Sequence, residues 1–550
     1  LARPERRVGI LFFITLLLLL GILLRAAWLQ GVEGASFASQ ATGQQEDTIT
    51  IPGLRGSILD RNGRELVGSE VGASIYATPY QIKDAEAESE AVAGALDADP
   101  SDVLKAITQP GGFSYIQRKV DLVRAGRVEK LGLEGIGQHP DTLRTRPQGD
   151  LAAQVIGAVS AEGEGLTGIE SAEDDVLRGV DGEQQMVKDA LGEAIRMDTI
   201  RDPRDGKSIQ LTIDAAIQDR AERALAKVAE IHAPVNASAI VMDAKSSEIL
   251  AMANWPPVDL DNLESAGAED LLNVGTSYNF EPGSTFKAFT VAAALEAGTV
   301  TPESTFTLAP SIQVYDRVIE ESHARGTVTL DVGDILAQSS NVGSVTIGLG
   351  IGGEKFSKWI DRFGFGRPTG IEYPAEESGI VLPYEDYSGS TMGNLPIGQG
   401  IAVTPIQMVA GYGALANDGV LTEPRLIRSI GGEDLPEKPG REVVSPEVAA
   451  QVREMLKGVL APGGTAPEVE VPGYTLAGKT GTAEIATEGG YSETRFVASF
   501  IGMAPADDPR IVVSIMVNEP RNGYYGGEVA APAFGDIASF ALPYLGVPTE

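Results

Sequence analysis

Glu281-Pro282-Gly283-Ser284-Thr285-Phe286-Lys287 is the stretch on which the fold turns: a breaker pair, then a serine with a lysine three residues on. Pro-Gly signals a turn. The apolar run behind it, through Phe289, Val291 and several alanines, predicts a helix opened at Ser284 and closed at Gly298. Residues three apart share a helix face, so Lys287 lies alongside Ser284. The partial positive charge of a helix N-terminus favours a developing alkoxide there. A serine hydroxyl attacks well only when something takes its proton. A lysine does so only as a neutral amine, which needs desolvation or a neighbouring positive charge. The apolar flank of this helix supplies the first, and Lys479 is the candidate for the second. Lys287 is therefore expected to be the general base for Ser284.

Two further motifs follow in order. Ser339-Ser340-Asn341 puts a hydroxyl and an amide two residues apart, suited to relay a proton and to hold a peptide carbonyl from one loop. Read alone it is a common helix start, with serine as a cap. Lys479-Thr480-Gly481-Thr482 follows Tyr474 to Ala477, a stretch with strand character. Gly481 leaves room for a ligand backbone, so a peptide could add along this strand. Lys479, Thr480 and Thr482 suit a terminal carboxylate.

The rest of the chain sets bounds. With 550 residues it exceeds one hydrophobic core, so two or three domains are expected. The net charge of −34, spread through both halves, argues against nucleic-acid binding. The absence of cysteine excludes disulfides, thiolate catalysis and zinc-thiolate sites. With His139, His232 and His323 alone, a histidine metal site or a Ser-His-Asp triad has few candidates, and no G-x-S-x-G occurs. No metal and no cofactor is expected. Val8 to Leu29 is apolar enough to cross a bilayer and follows Arg3, Arg6 and Arg7. These arginines place the N-terminus, residues 1–7, in the cytoplasm and the bulk of the chain outside. Residues 8–29 are read as an uncleaved anchor, with a cleaved signal peptide as the competing reading.

Beyond the anchor, Arg55-Gly56-Ser57-Ile58-Leu59-Asp60-Arg61-Asn62-Gly63 surrounds an Asn-Gly turn, and Arg55, Asp60 and Arg61 could form ion pairs fixing a domain junction. Ala85 to Leu96 and Ser101 to Ile107 read as short helices broken by Asp99-Pro100, a solvent-facing insertion. Asp202 to Gly206 marks a boundary, giving modules 30–205 and 206–550. The second opens with an alternating strand, Ile209 to Ile213, and a helix capped by Asp214 with Ile217, Ala221, Leu225 and Val228 on one face. Ala239 to Met242 and Ile249 to Met252 read as a hairpin. Phe496 to Ile501 and Ile511 to Val517 read as later strands, and Pro532 to Leu545 as a closing helix.

The three motifs, in this order, resemble those of class B penicillin-binding proteins, closest to the septal, division-associated branch. The N-terminal half resembles the same family: Arg55-Gly56…Asp60-Arg61…Gly63, then Arg144-Thr145-Arg146-Pro147, then Gly168-Ile169-Glu170. Arg146 stands where that family has Tyr, and Ser247 where its hairpin turn has Gly. The resemblance implies an α/β (α+β) penicillin-binding transpeptidase, serine β-lactamase-like fold behind a mixed α+β pedestal and one transmembrane helix. It implies Ser284, Lys287, Ser339 and Lys479 as catalytic, Asn341, Thr480, Gly481 and Thr482 as substrate-binding, and the N–H groups of Ser284 and Thr482 as oxyanion hole. Arg55, Gly56, Asp60, Arg61, Gly63, Arg144 and Glu170 become junction residues. It adds Gly398-Gln399-Gly400 and Tyr524-Tyr525-Gly526-Gly527 to the fold without a step. The implied reaction is D,D-transpeptidation of peptidoglycan stem peptides, with β-lactams as covalent inhibitors. A membrane glycosyltransferase and divisome proteins are the implied partners. A D,D-carboxypeptidase or β-lactamase-type hydrolase and an idle divisome scaffold are the alternatives.

Overall fold

The computed structural model describes residues 4–33, 46–188, 194–263, 266–487 and 490–550. Helix Pro4–Gly31 is long and apolar enough to span a bilayer, with a mean hydropathy of 2.6 over its most apolar window. The chain divides into two compact units that interleave in sequence: residues 1–55, 69–143 and 179–206, and residues 56–68, 144–178 and 207–550.

In the first unit, residues 72–77 of strand Glu65–Ala77 pair antiparallel with Ser114–Asp121, placing Tyr76 opposite Tyr115. Helices Ala85–Leu96 and Pro100–Ile107 form as the breaker predicts, and Asp99 caps the second by accepting from Ser101 N at 2.7 Å. They are not a solvent-facing insertion. Val92, Leu96, Val103 and Ile107 join Ile75, Ala77 and Val120 in one buried cluster. A third helix there, Leu122–Glu129, was not anticipated. Its capping aspartate, Asp121, is the last residue of the strand before it. A separate sheet runs Glu46–Ile51, Gly182–Lys188, Ala194–Arg201, all antiparallel.

The second unit is built on a five-stranded antiparallel sheet in the order Ile249–Trp255, Asn236–Asp243, Ile511–Asn518, Gly490–Ala504, Ala477–Thr487. Alternation sorts its side chains. Ile240, Met242, Met252 and Met516 enter one core with helices Lys287–Glu296 and Pro405–Ala416. Ala239, Val241, Ala251 and Ile515 enter another with helices Ala215–His232 and Ala531–Tyr544. Both faces are covered, so Ile511–Asn518 is buried throughout. The helix over one face starts as expected: Asp214 accepts from Ala216 N at 3.0 Å, and Ile217, Ala221, Leu225 and Val228 are buried. Ser247 takes a φ of +57°. Glycine is the usual residue there, and serine tolerates it at a modest strain cost.

The segments 56–68 and 144–178 pack within this second unit. Ile58–Leu59 pairs in parallel with Ile209–Leu211, which is shorter than the expected strand. Arg144 donates to Glu170 Oε1 through Nε at 2.8 Å and to Gly56 O through Nη1 at 2.8 Å, with both charged side chains under 10% exposed. Arg61 pairs with Glu248 at 3.2 Å. Asp60 makes no ion pair among the described residues. It accepts from the backbone N–H groups of Asn62 and Arg64, both at 2.8 Å, closing the turn in which Gly63 has a φ of +79°. Arg55 is buried. Arg146, the departure from the family pattern, pairs with Asp261. Replacing Arg144 with alanine removes the guanidinium from a carboxylate that is 2% exposed. It should lower stability by about 3–5 kcal/mol, read by denaturant unfolding.

Candidate active site

Gly283, with a φ of +53°, turns the chain into Ser284, and its N–H donates to Gly398 O at 2.9 Å. The α-helix expected from Ser284 begins later. Gly283–Phe286 is a 3-10 turn and the α-helix runs Lys287–Glu296, with Gly298 beyond it at a φ of +66°. In a 3-10 turn residues three apart eclipse, so Ser284 and Lys287 still share a side. The turn is held by its core. Phe286 and Phe289 lie 5.4 Å apart between ring centroids, and Phe289 meets Phe363, Phe365 and Tyr412. The buried Tyr412 hydroxyl donates to Thr285 O at 2.7 Å.

Lys287 is fully buried. Its amine donates to Ser339 O at 2.7 Å, Ser339 Oγ at 3.2 Å and Asn341 Oδ1 at 2.7 Å. Burial pushes it down to about 7; the Glu321 carboxylate opposes this and the Arg325 guanidinium adds to it. Ser284 is half-buried. Its hydroxyl is not among the three acceptors on the amine, and its own N–H has no acceptor among the described residues. Catalytic hydrogen bonds commonly tighten only when substrate arrives.

The Ser339–Asn341 segment is a helix start and a partner of the lysine at once. Ser340 caps helix Asn341–Ile351 by accepting from Gly343 N at 2.9 Å, and Ser339 sits at a φ of +58°. This left-handed residue turns its carbonyl and hydroxyl toward Lys287.

Lys479-Thr480-Gly481-Thr482 lies inside strand Ala477–Thr487 rather than after a strand. That strand is at the edge of the five-stranded sheet. Lys479 is fully buried, donating to Thr480 O at 3.1 Å. Burial, reinforced by Lys287, holds its amine well below the usual lysine range. The positive neighbour that lowers the Lys287 amine is the Arg325 guanidinium. A Cβ on Gly481 would lie 2.3 Å from Ser499 Oγ and 2.9 Å from Thr285 Cγ2. The space beside Gly481 is filled by Ser499 of the neighbouring strand and Thr285 of the Gly283–Phe286 turn. Thr482 Oγ1 accepts from Gly526 N at 3.1 Å. Thr480 Oγ1 shares a hydrogen bond with Thr465 Oγ1 at 2.6 Å.

The two glycine segments without an assigned step act as close-packed supports. A Cβ on Gly398 would lie 2.2 Å from Gly283 O, and one on Gly526 2.3 Å from Gly481 O. Glu281 accepts from Gly400 N at 2.9 Å and from the Tyr491 hydroxyl at 3.1 Å, and burial pushes its carboxyl up. Glu321 and Arg325 escaped sequence reading, because they belong to no motif and reach the site only through space.

Residues 237–539 match the penicillin binding protein transpeptidase domain, and residues 50–211 the penicillin-binding protein dimerisation domain. The chain is similar to penicillin-binding protein PbpB of Mycolicibacterium smegmatis, 33% identical over 94% of this chain and 87% of the relative. It is 30% identical to peptidoglycan D,D-transpeptidase FtsI of Escherichia coli, over 98% and 92% of the two chains. The crystal structure of apo penicillin binding protein 3 from Mycobacterium tuberculosis superposes with a TM-score of 0.71 at 31% identity, covering 91% of this chain and 98% of that one. With a transpeptidase domain behind a dimerisation domain, the chain belongs to the class B penicillin-binding protein family.

Proposed function

We infer that this protein is a peptidoglycan D,D-transpeptidase that works through an acyl-enzyme on Ser284 and is inhibited by β-lactams. One observation carries the reading. A fully buried lysine, held near neutrality, lies one turn from Ser284 and bonds the Ser-x-Asn segment, while the Lys-Thr-Gly strand packs on the same turn.

In this reading Lys287 Nζ takes the Ser284 proton as Oγ attacks the penultimate D-Ala carbonyl of a stem peptide. The N–H groups of Ser284 and Thr482 receive the developing oxyanion. The C–N bond to the terminal D-Ala breaks, and its leaving nitrogen takes a proton relayed through Ser339. An amino group of a neighbouring stem then attacks the ester, forming the cross-link and returning Ser284. Asn341 holds the donor peptide. Lys479, Thr480 and Thr482 grip its carboxylate beside Gly481, with the donor strand along the open sheet edge.

In chain order, the division that goes with this reading is a tail of residues 1–7, an anchor of 8–29, a pedestal of 30–205 and a transpeptidase domain of 206–550, with segments 56–68 and 144–178 packing into the unit of the last. Arg55, Gly56, Asp60, Arg61, Gly63, Arg144 and Glu170 serve as the structural junction. The arginines before the anchor support an N-terminus in the cytoplasm and a catalytic unit outside. The likeness to FtsI supports a role in septal wall synthesis, with a membrane glycosyltransferase supplying the glycan and divisome proteins as neighbours.

Incubation with a labelled penicillin, digestion and mass spectrometry test the acyl-enzyme. A stable adduct on Ser284, absent from Ser284→Ala, is expected. An adduct on another residue, or rapid turnover of the penicillin, overturns the reading in favour of a different nucleophile or a hydrolase.

A further inference from the structure

The segment that follows strand Arg317–Glu320 holds a charge pair outside all three motifs. The Glu321 side chain is 5% exposed and pairs with Arg325, whose side chain is 20% exposed. Both carboxylate oxygens of Glu321 are engaged. Oε1 accepts from Arg325 Nη2 and from Ser340 Oγ, the latter at 2.7 Å, and Oε2 accepts from Asn341 N at 2.8 Å. Arg325 Nη2 also donates to Ser340 Oγ at 2.8 Å. The neighbouring carbonyl, Glu320 O, accepts from Asn341 Nδ2 at 2.9 Å, which leaves Asn341 Oδ1 for Lys287.

We propose that Glu321 and Arg325 are positioning residues for acylation, holding the Ser339–Asn341 turn in the one shape whose three oxygens converge on Lys287. The proposal rests on the reading of Lys287 as the base. A left-handed serine at residue 339 is strained and persists only where its surroundings over-determine it. Glu321 supplies that constraint by bonding the next two residues, Ser340 and Asn341. A carboxylate at the first N–H of a helix is itself favourable. Replacing this pair by neutral side chains of similar size leaves the turn free to relax and its oxygens to leave the amine.

The pair also acts on the amine in two opposed ways. Glu321 and Arg325 face Lys287 from this segment and Lys479 from the Lys-Thr-Gly strand, while Ser284, Ser339 and Asn341 carry no charge. Removing the carboxylate weakens the ammonium form, and removing the guanidinium strengthens it. Since the neutral amine is the base, the acylation rate rises with pH through the amine's midpoint.

The test is the pH profile of the second-order acylation rate with a fluorescent penicillin, for the full chain and its Glu321→Gln, Arg325→Met, Arg325→Lys and Lys287→Met variants. Glu321→Gln and Arg325→Met should each slow acylation by about 10- to 100-fold at their plateau. The midpoint should fall by about one pH unit in Glu321→Gln and rise by a similar amount in Arg325→Met. Arg325→Lys keeps the charge and should return the midpoint toward wild type. Unchanged rates, or slower rates with both midpoints unmoved or moved the same way, overturn the proposal. Wild-type acylation by Lys287→Met instead overturns the assignment of the base beneath it.

Discussion

Lys287→Met acylates on the order of 10²–10⁴-fold more slowly than wild type, the span expected for loss of a positioned general base. Methionine approximates the stem of the lysine without its amine, so the buried site is refilled and not emptied. Stability separates this from simple damage. The folded amine is held near 7 and an unfolded lysine near 10.5. Between those values the unfolded chain binds the extra proton. The buried amine therefore weakens the fold, fully below about 7, with relief arriving as pH rises toward 10.5. Lys287→Met removes that penalty, so it should unfold at a temperature no lower than wild type at pH 7 while losing its reaction with penicillin. Stopped-flow acylation and a thermal melt on the same sample make the check. A large fall in melting temperature together with the lost rate would point to damage instead.

Gly398→Ala should set a methyl group against the turn that carries Ser284. Residue 398 has a φ of +73°, and the added carbon would lie 2.2 Å from Gly283 O and 2.7 Å from Phe286 Cβ. The first is backbone and the second belongs to the ring cluster, so neither swings aside. Left-handed strain alone is about 1–3 kcal/mol. Relief comes by shifting the Gly283–Phe286 turn, which carries Ser284. A displacement of about 1 Å at a nucleophile costs about 10²-fold in rate. Acylation should fall by about that factor, with secondary structure by circular dichroism unchanged. Gly400→Ala, whose Cβ would meet only Asn394 Cβ at 3.8 Å, should fall less.

What sequence reading reached, and what it missed, follows the range of the interactions. The cap at Asp214, the break at Asp99-Pro100 and the apolar face of helix Ala215–His232 are local, within about one turn of the residues that encode them. The closeness of Ser284 and Lys287 is local too, although the 3-10 geometry of their turn is not written in the residue types. Ser339 to Asn341 presented two readings, cap and catalytic loop. The cap is seen at Ser340, and its neighbours bond the lysine. Glu321 was beyond reach. It lies among ordinary acidic residues, and its meaning comes from a fold that sets it against a helix start 20 residues later. Gly481 shows the same limit: room on one strand is a statement about its neighbours, and a Cβ there would meet Ser499 and Thr285.

The interleaving of the two units decides how this protein can be dissected. A fragment begun at residue 207 would lose Ile58 and Leu59, the strand partners of Ile209 and Gln210, and the Arg61 N–H that serves Ile213 O. It would also lose Ile169 and Leu177, both wholly buried in the larger core. An unpaired edge and a bared apolar patch invite aggregation. Inhibitor screening against the acylating half alone thus calls for a spliced chain that keeps residues 56–68 and 144–178, because linear order is a poor guide to which residues keep the catalytic half soluble.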